Sequence, residues 1–271
     1  MSTSFLEAAE RRASTAAANI GRVPLSAANW REVYIDPARA GLSASTAESV
    51  CMGNSLLLLD SLASASECQA LLEEAAASAD DAFEAQTRPS AKYGATPPAR
   101  VRMELVDHFD EHTIALCDLL LRRAVSRLGK ELPSVVERQL GLGLGEGFAS
   151  MRPGIGSMLG FSDGEPAINV YRAGGLFKPH EDKQSLTVLV PLSDALNGAF
   201  VGGGTAFWTN EQRSTASTTP PGSVVHAPAG TAIVFTGTVT HAALATLSGE
   251  RTILVASFSS LSHGIVGAHV T

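Results

Sequence analysis

The spacing of apolar positions changes near the middle of the chain. Up to about residue 135 they recur every three or four residues in Ala-, Leu- and Glu-rich sequence, whereas from about residue 165 they fall in short bursts broken by Gly, Pro and Thr. The first half therefore predicts helices and the second half strands. An apolar run, Ser55 to Leu59, reads as a short buried strand. It is followed by a helix with Ser64 or Ser66 as N-cap and Glu67 in its first turn. A second helix carries Ile114, Cys117, Leu121, Val125 and Leu128 on one stripe, with Gly129 and Pro133 as its stop signals. The stretch LGLGLGEGFASMRPGIGSMLG reads as a connecting loop, because its glycines lack the strand, helix and GK[ST] setting of a phosphate loop. Five strands are then expected, in PAINVYRA, SLTVLVPLS, GGGTAFW, TAIVFTG and RTILVASFS. Short strands unbroken by helices indicate an antiparallel sandwich or barrel.

Composition narrows the class. The chain has 271 residues, 45% apolar and 17% charged, enough to bury a sizeable core. A net charge of −7 without a Lys/Arg cluster argues against nucleic acid and against an anionic membrane surface. No apolar run reaches membrane-spanning length and the start lacks the apolar segment of a secretory signal, so a cytoplasmic protein is expected. That start is rich in Ser, Ala and Arg as import sequences are, but Glu7 and Glu10 count against import. Cys51, Cys68 and Cys117 are odd in number and far apart, and read as buried free thiols.

The chemistry is concentrated in GGLFKPHEDKQSLTVLVPLS, residues 174–193. Alternate residues of an extended chain face one side, so His180 and Asp182 point together and Glu181 points away. His241, after the apolar run Ala232 to Phe235, supplies a third ligand. Two histidines and one carboxylate on one face of a metal suit non-haem Fe(II) and oxygen chemistry, although zinc hydrolases use the same ligand types. Arg251 opens the next strand, where a hairpin return carries it toward the metal and its guanidinium can take a distal carboxylate. A second His-x-Asp, His108 and Asp110 with His112 beside it, precedes a helix and lacks a distal partner; it reads as solvated helix-start charge. His226 reads as a loop or substrate-contact residue. Arg152 and Arg172 read as solvated charges, with an acidic substrate as the alternative.

The order NVYRAGGLFKPHEDK, VPLSDALNGAFVGGGTAFW, PPGSVVHAPAGTAIVFTG, THAALATLSGERTIL resembles the Fe(II)- and 2-oxoglutarate-dependent dioxygenases, most of all their prolyl 4-hydroxylase-like branch, over about residues 52 to 260. The matching positions are His180, Asp182, His241 and Arg251, the GG-x-T-x-F-like element at Gly203, Gly204, Thr205 and Phe207, and Tyr171 ahead of the His-x-Asp. The resemblance implies an α+β fold with a double-stranded β-helix (jelly-roll) core and N-terminal helices packed on it. Residues 51–271 would form this domain, and 1–50 an extension of unread role. It also implies iron on His180, Asp182 and His241, with 2-oxoglutarate chelated to it and held by Arg251 and Tyr171. Ascorbate would be a supporting reductant. Succinate and CO2 are released and a substrate is hydroxylated. Collagen-type prolyl hydroxylases have Lys at the place of Arg251, and the plant-type small-molecule branch has Ser where this chain has Ile253, so neither substrate class carries over directly. Asp182 disfavours halogenation, which needs a small residue there. A small metabolite or amino acid is the expected substrate; a peptidyl-prolyl or other protein hydroxylase, or a non-catalytic metal-binding module, are the alternatives.

Overall fold

The computed structural model describes residues 29–87, 99–141 and 159–260; most of the glycine-rich stretch, with Arg152, and the Ser- and Ala-rich start fall outside them. The strands, in chain order, are β1 (Trp30–Tyr34), β2 (Ser55–Leu59), β3 (Arg100–Glu104), β4 (Leu159–Phe161), β5 (Ala167–Tyr171), β6 (Phe177–His180) and β7 (Leu186–Pro191). Then follow β8 (Phe200–Gly202), β9 (Thr205–Phe207), β10 (Ser223–Val225), β11 (Ala232–Thr236), β12 (His241–Ala243), β13 (Thr246–Gly249) and β14 (Arg251–Ser260). All five expected strands of the second half are present. They form a large antiparallel sheet ordered β1-β2-β11-β7-β14-β5-β3 with β4 on β14, a second sheet ordered β10-β9-β12-β6, and a β8–β13 ribbon. With its helices, the chain has an α+β fold.

Side-chain alternation divides the large sheet into two faces. Leu57, Leu59, Val101, Met103, Ile168, Val170, Val188, Val190, Leu254 and Ala256 project outward into one apolar cluster, which they share with Cys117, Leu120, Leu121, Val125 and Leu128 of the helix Glu111–Glu131. Leu56, Leu58, Ala167, Tyr171, Leu189, Ile233, Phe235, Ile253 and Val255 project the other way, into a second cluster with Phe207 and Val225 of the smaller sheet. At roughly 1.5 to 3 kcal/mol for each large apolar side chain taken out of water, the helix-covered face supplies much of the stability. The facing sheets hold the chemistry.

The helix Ala65–Thr87 starts where Ser64 and Glu67 exchange hydrogen bonds, Ser64 N–H to Glu67 Oε2 at 2.8 Å and Glu67 N–H to Ser64 Oγ at 3.2 Å. The second helix departs from expectation at its end: it runs through Gly129 to Glu131, and Pro133 opens a further helix, Pro133–Leu140. Proline lacks the N–H that a first turn leaves unused, so the residue that stops one helix starts the next. Strand β1 is a second departure. It pairs residue for residue with β2, Trp30 opposite Leu59 through Tyr34 opposite Ser55, so the packed fold reaches back past residue 51. Cys68 and Cys117 are buried, their thiols pushed up to about 11 and about 12, mainly by desolvation, and Cys51 is half-buried. No helix among the described residues is long and apolar enough to cross a membrane.

Candidate active site

His180 and His241 are direct cross-strand partners in the β6–β12 pair, which sets their rings side by side with centroids 4.3 Å apart. The chain leaves β6 after His180 and stays close, so that Asp182 turns its carboxylate between them: Oδ1 lies 3.4 Å from His180 Nε2 and Oδ2 3.5 Å from His241 Nε2. One ligand atom from each residue lies within 4.8 Å of the others. The two ligand-bearing loops are tied together where Lys183, at φ 61°, donates its N–H to Gly237 O at 2.9 Å. Only glycine fits at 237, because a Cβ there would stand 2.2 Å from Gln184 O.

Hydrogen bonding defines what the three residues offer. His180 Nδ1 lies 2.9 Å from Lys178 O and His241 Nδ1 3.1 Å from Val239 O. A carbonyl can only accept, so each ring carries a proton on Nδ1 and presents Nε2 to Asp182. Burial alone would raise the Asp182 carboxyl, but the hydrogen bond from His180, the charge of His241 and the Thr187 hydroxyl, 2.6 Å from Oδ2, hold it down at about 2. Burial pushes His241 down to about 4 despite the attraction of Asp182. Two imidazole Nε2 atoms and a carboxylate thus converge on one point. That donor set fits a divalent cation and leaves its other positions open.

Further out, Glu181 faces away from the triad, accepts a hydrogen bond from Thr240 Oγ1 at 3.2 Å and pairs with Arg213. Phe177 lies against His180 at 4.2 Å between ring centroids, and Phe235 against His241 at 4.7 Å.

Arg251 opens β14 opposite Tyr171 of β5. Its side chain is buried, its Nη2 donates to Thr205 Oγ1 at 3.0 Å, its guanidinium carbon is 5.4 Å from the Tyr171 ring centre, and its Nη1 is buried without a partner. Burial lowers its pKa, with the Tyr171 charge opposing, but a guanidinium remains a cation. A buried guanidinium with one N–H group unmet is a cradle for an anion. One cavity between the sheets is lined by His180, Asp182 and His241 and also by Tyr171, Thr205 and Arg251.

The alternative constellation does not assemble. Asp110 caps the helix Glu111–Glu131 by accepting from Thr113 N–H at 2.8 Å, and His108 is exposed, its Nδ1 3.2 Å from Glu104 O. His226 lies in the loop after β10, exposed, with its ring over Gly204, where an added Cβ would come within 2.7 Å. Arg172 ion-pairs with Asp80 at 2.6 Å and Glu250 at 3.0 Å. The same cavity is also lined by Arg102, Glu165 and Asn169, which sequence reasoning did not single out. For Arg102 the signal is the alternation in RVRME, where Val101 and Met103 are buried against the helices and so turn the charged positions inward; no such pattern marks Glu165 or Asn169.

No protein-family model matches the chain, and no curated protein matches it. Among solved structures it is similar to a viral collagen prolyl hydroxylase from Paramecium Bursaria Chlorella virus-1 in complex with 2-oxoglutarate, at 16% identity and a TM-score of 0.45, over 77% of this chain and 97% of that one. It is also similar to a Pseudomonas putida prolyl-4-hydroxylase, at 13% identity and a TM-score of 0.44, over 86% and 92% of the two chains. A third is an oxidoreductase of the 2OG-Fe(II) oxygenase family from Burkholderia pseudomallei, at 17% identity and a TM-score of 0.38, over 73% and 91%. Two of the three are thus prolyl hydroxylases, one of them bound to 2-oxoglutarate, and the third belongs to the 2OG-Fe(II) oxygenase family.

Proposed function

We propose that this protein is an Fe(II)- and 2-oxoglutarate-dependent oxygenase with a double-stranded β-helix core, and that it hydroxylates a small metabolite or amino acid. The observation that carries this is the coincidence in one cavity of a His180, Asp182, His241 donor set and the unpartnered buried Nη1 of Arg251. The three ligands alone would also serve a zinc hydrolase; the buried guanidinium in the same cavity adds an anion site that suits the far carboxylate of 2-oxoglutarate. The jelly-roll reading is supported by the strand path, which passes from the large sheet at β5 to the small one at β6, back at β7, across again at β9 and β10, back at β11, across at β12 and back at β14.

His180, Asp182 and His241 would hold the iron, and Arg251 with Thr205 and Tyr171 would hold the C5 carboxylate of 2-oxoglutarate. Bound together, these groups supply oxygen activation coupled to oxidative decarboxylation, with succinate and CO2 as products and a substrate C–H converted to C–OH. The protein's own part is to orient. The carbonyls of Lys178 and Val239 each hold an Nδ1 proton and so aim Nε2 at the metal position, Phe207 and Phe235 pack on the buried His241 and Phe177 on His180, and the salt-linked Glu181 holds the His180–Asp182 segment against Thr240. The polar wall of Arg102, Glu165 and Asn169 suits a hydrophilic small substrate.

The test is succinate formation from 2-oxoglutarate. It should require Fe(II) and oxygen together and be faster with substrate present. Turnover of any substrate with zinc under nitrogen would replace the reading with a hydrolytic one.

A further inference from the structure

The row that holds Arg251 contains a second cation. In the register of the large sheet Arg251 is opposite Tyr171, and Tyr171 is opposite Arg100 of β3, so one tyrosine ring has a guanidinium on each side, at 5.4 Å and 5.7 Å from its centre. Two like charges in one half-buried row repel unless each has its own anion. Arg102, the next inward residue of β3, has one: it pairs with Glu165 at 2.6 Å and donates from Nε to Gly164 O at 3.1 Å. Arg100 has none. Among the described residues it makes one hydrogen bond, Nη2 to Asn169 Oδ1 at 3.1 Å, and its Nε is buried without a partner. The rest of its contact is with the face of Phe177, 3.9 Å from the ring centre, and Phe177 is the ring that lies on His180. Arg100 is therefore one aromatic ring away from a metal ligand. It touches three residues that line the cavity: Asn169, Tyr171 and Phe177.

We propose that Arg100 and Asn169 bind the carboxylate of the primary substrate, so that the enzyme acts on a small carboxylic acid gripped at one end while a carbon a few bonds away faces the metal. The inference rests on the oxygenase reading above, which assigns the other anion of the row, the C5 carboxylate, to Arg251. The chemistry of the pair is matched to an anion. Asn169 has its amide oxygen committed to Arg100 and so has only N–H to offer to the cavity, and Arg100 has free N–H groups beside an aromatic plane that orients the fork. An ammonium group would leave the buried Nε unmet, and a neutral amide would meet it with an uncharged oxygen and leave the guanidinium charge uncompensated. Arg100 would then select acids over their neutral analogues by the asymmetry that makes an unpaired buried charge costly.

The experiment screens α-amino acids and unbranched three- to six-carbon monocarboxylic acids, each beside its primary amide, for stimulation of succinate formation by the Fe(II)-loaded protein. Binding is read a second way, as the rise in melting temperature of the protein as purified on adding each compound. Expected is at least one acid that acts in both assays, with its amide weaker by roughly 10- to 100-fold, the worth of a charge-assisted pair. In Arg100→Gln the KM for that acid should rise to the level of its amide, and Arg100→Lys should fall between. Amides equal to their acids, an unchanged acid KM in Arg100→Gln, or an acid set in which no member either stimulates or stabilises would each overturn the proposal. Absence of succinate under every condition sinks the oxygenase reading instead, and the melting shifts with acid and amide then decide the anion site alone.

Discussion

Replacing Arg251 with methionine should make the protein more stable and less able to bind 2-oxoglutarate. Arg251 is 4% exposed, satisfies one N–H on Thr205, and leaves Nη1 buried and unmet. A buried polar group without a partner costs about 1 to 3 kcal/mol, and an uncompensated charge costs more. The Tyr171 ring, 5.4 Å from the guanidinium carbon, and the Thr205 hydroxyl return part of that. Methionine of similar length keeps the packing on Gly203, whose added Cβ would lie 3.1 Å from Arg251 Cδ, and removes the charge. A net gain of about 1 kcal/mol follows, or roughly 2 to 4 °C in melting temperature for a domain of this size. Adding ligand inverts the order. At a hundredfold excess over Kd, 2-oxoglutarate should stabilise the wild type by about 2.7 kcal/mol. Loss of a bidentate charge-assisted pair weakens binding by roughly 10- to 100-fold, so the variant should gain much less at the same concentration. The assay is a pair of thermal melts, with and without 2-oxoglutarate, on protein loaded with Zn(II) under nitrogen. Arg251→Lys should keep some of the ligand shift. A methionine variant that melts lower than wild type without ligand and shifts equally with it would refute the reasoning, because Arg251 would then be a satisfied structural residue.

His180→Ala or Asp182→Ala should abolish metal binding and turnover, while His108→Ala should leave both near wild type; loss of iron from the His108 variant alone would put the site in the wrong half of the chain. Glu181→Gln should weaken Fe(II) by roughly tenfold without unfolding the protein, because it loosens the link from the His180–Asp182 segment to Thr240 and Arg213; an unchanged metal titration would show that link to be idle. Glu67 is held at about 2, first by the Arg123 hydrogen bond and then by Ser64 N–H, against 4.5 for a free glutamate. Its contribution is therefore fully present above pH 4.5 and disappears as pH falls through the folded value of about 2. Screened at its half-exposed position that contribution is about 1 kcal/mol, so the stability gap between wild type and Glu67→Gln should close from pH 5 to pH 2, and a gap that widens on acidification would contradict it.

The long strands were legible because both of their faces are apolar: β7, β11 and β14 are buried along nearly their whole length and read as unbroken runs. The strands that carry the ligands were not. β6 and β12 have four and three residues, and each spends one on a histidine, so no alternation survives to be read. What gave the site away was instead the spacing of its polar residues, His180 to Asp182 and His241 to Arg251. Strand β3 shows the limit of pattern reading. RVRME alternates cleanly, but the usual assumption that charged positions face water assigns Arg100 and Arg102 to solvent; the helices cover Val101 and Met103, and the arginines face the other sheet. Likewise Trp30–Tyr34 was passed over because its partner strand lies on the far side of a turn and a short helix.

Both imidazoles are oriented by peptide oxygens two residues back in their own chain. A side chain doing that task could be deleted by one codon change, whereas a main-chain carbonyl survives every substitution at its position. The protonation pattern that readies His180 and His241 for metal is thus inherited from the strand geometry itself, and the identities of residues 178 and 239 can drift without disturbing it. The chemistry that this site can accept is in that sense insulated from much of the sequence around it, and variation is free to work on the walls, Arg100 and Asn169 among them, where substrate choice would be decided.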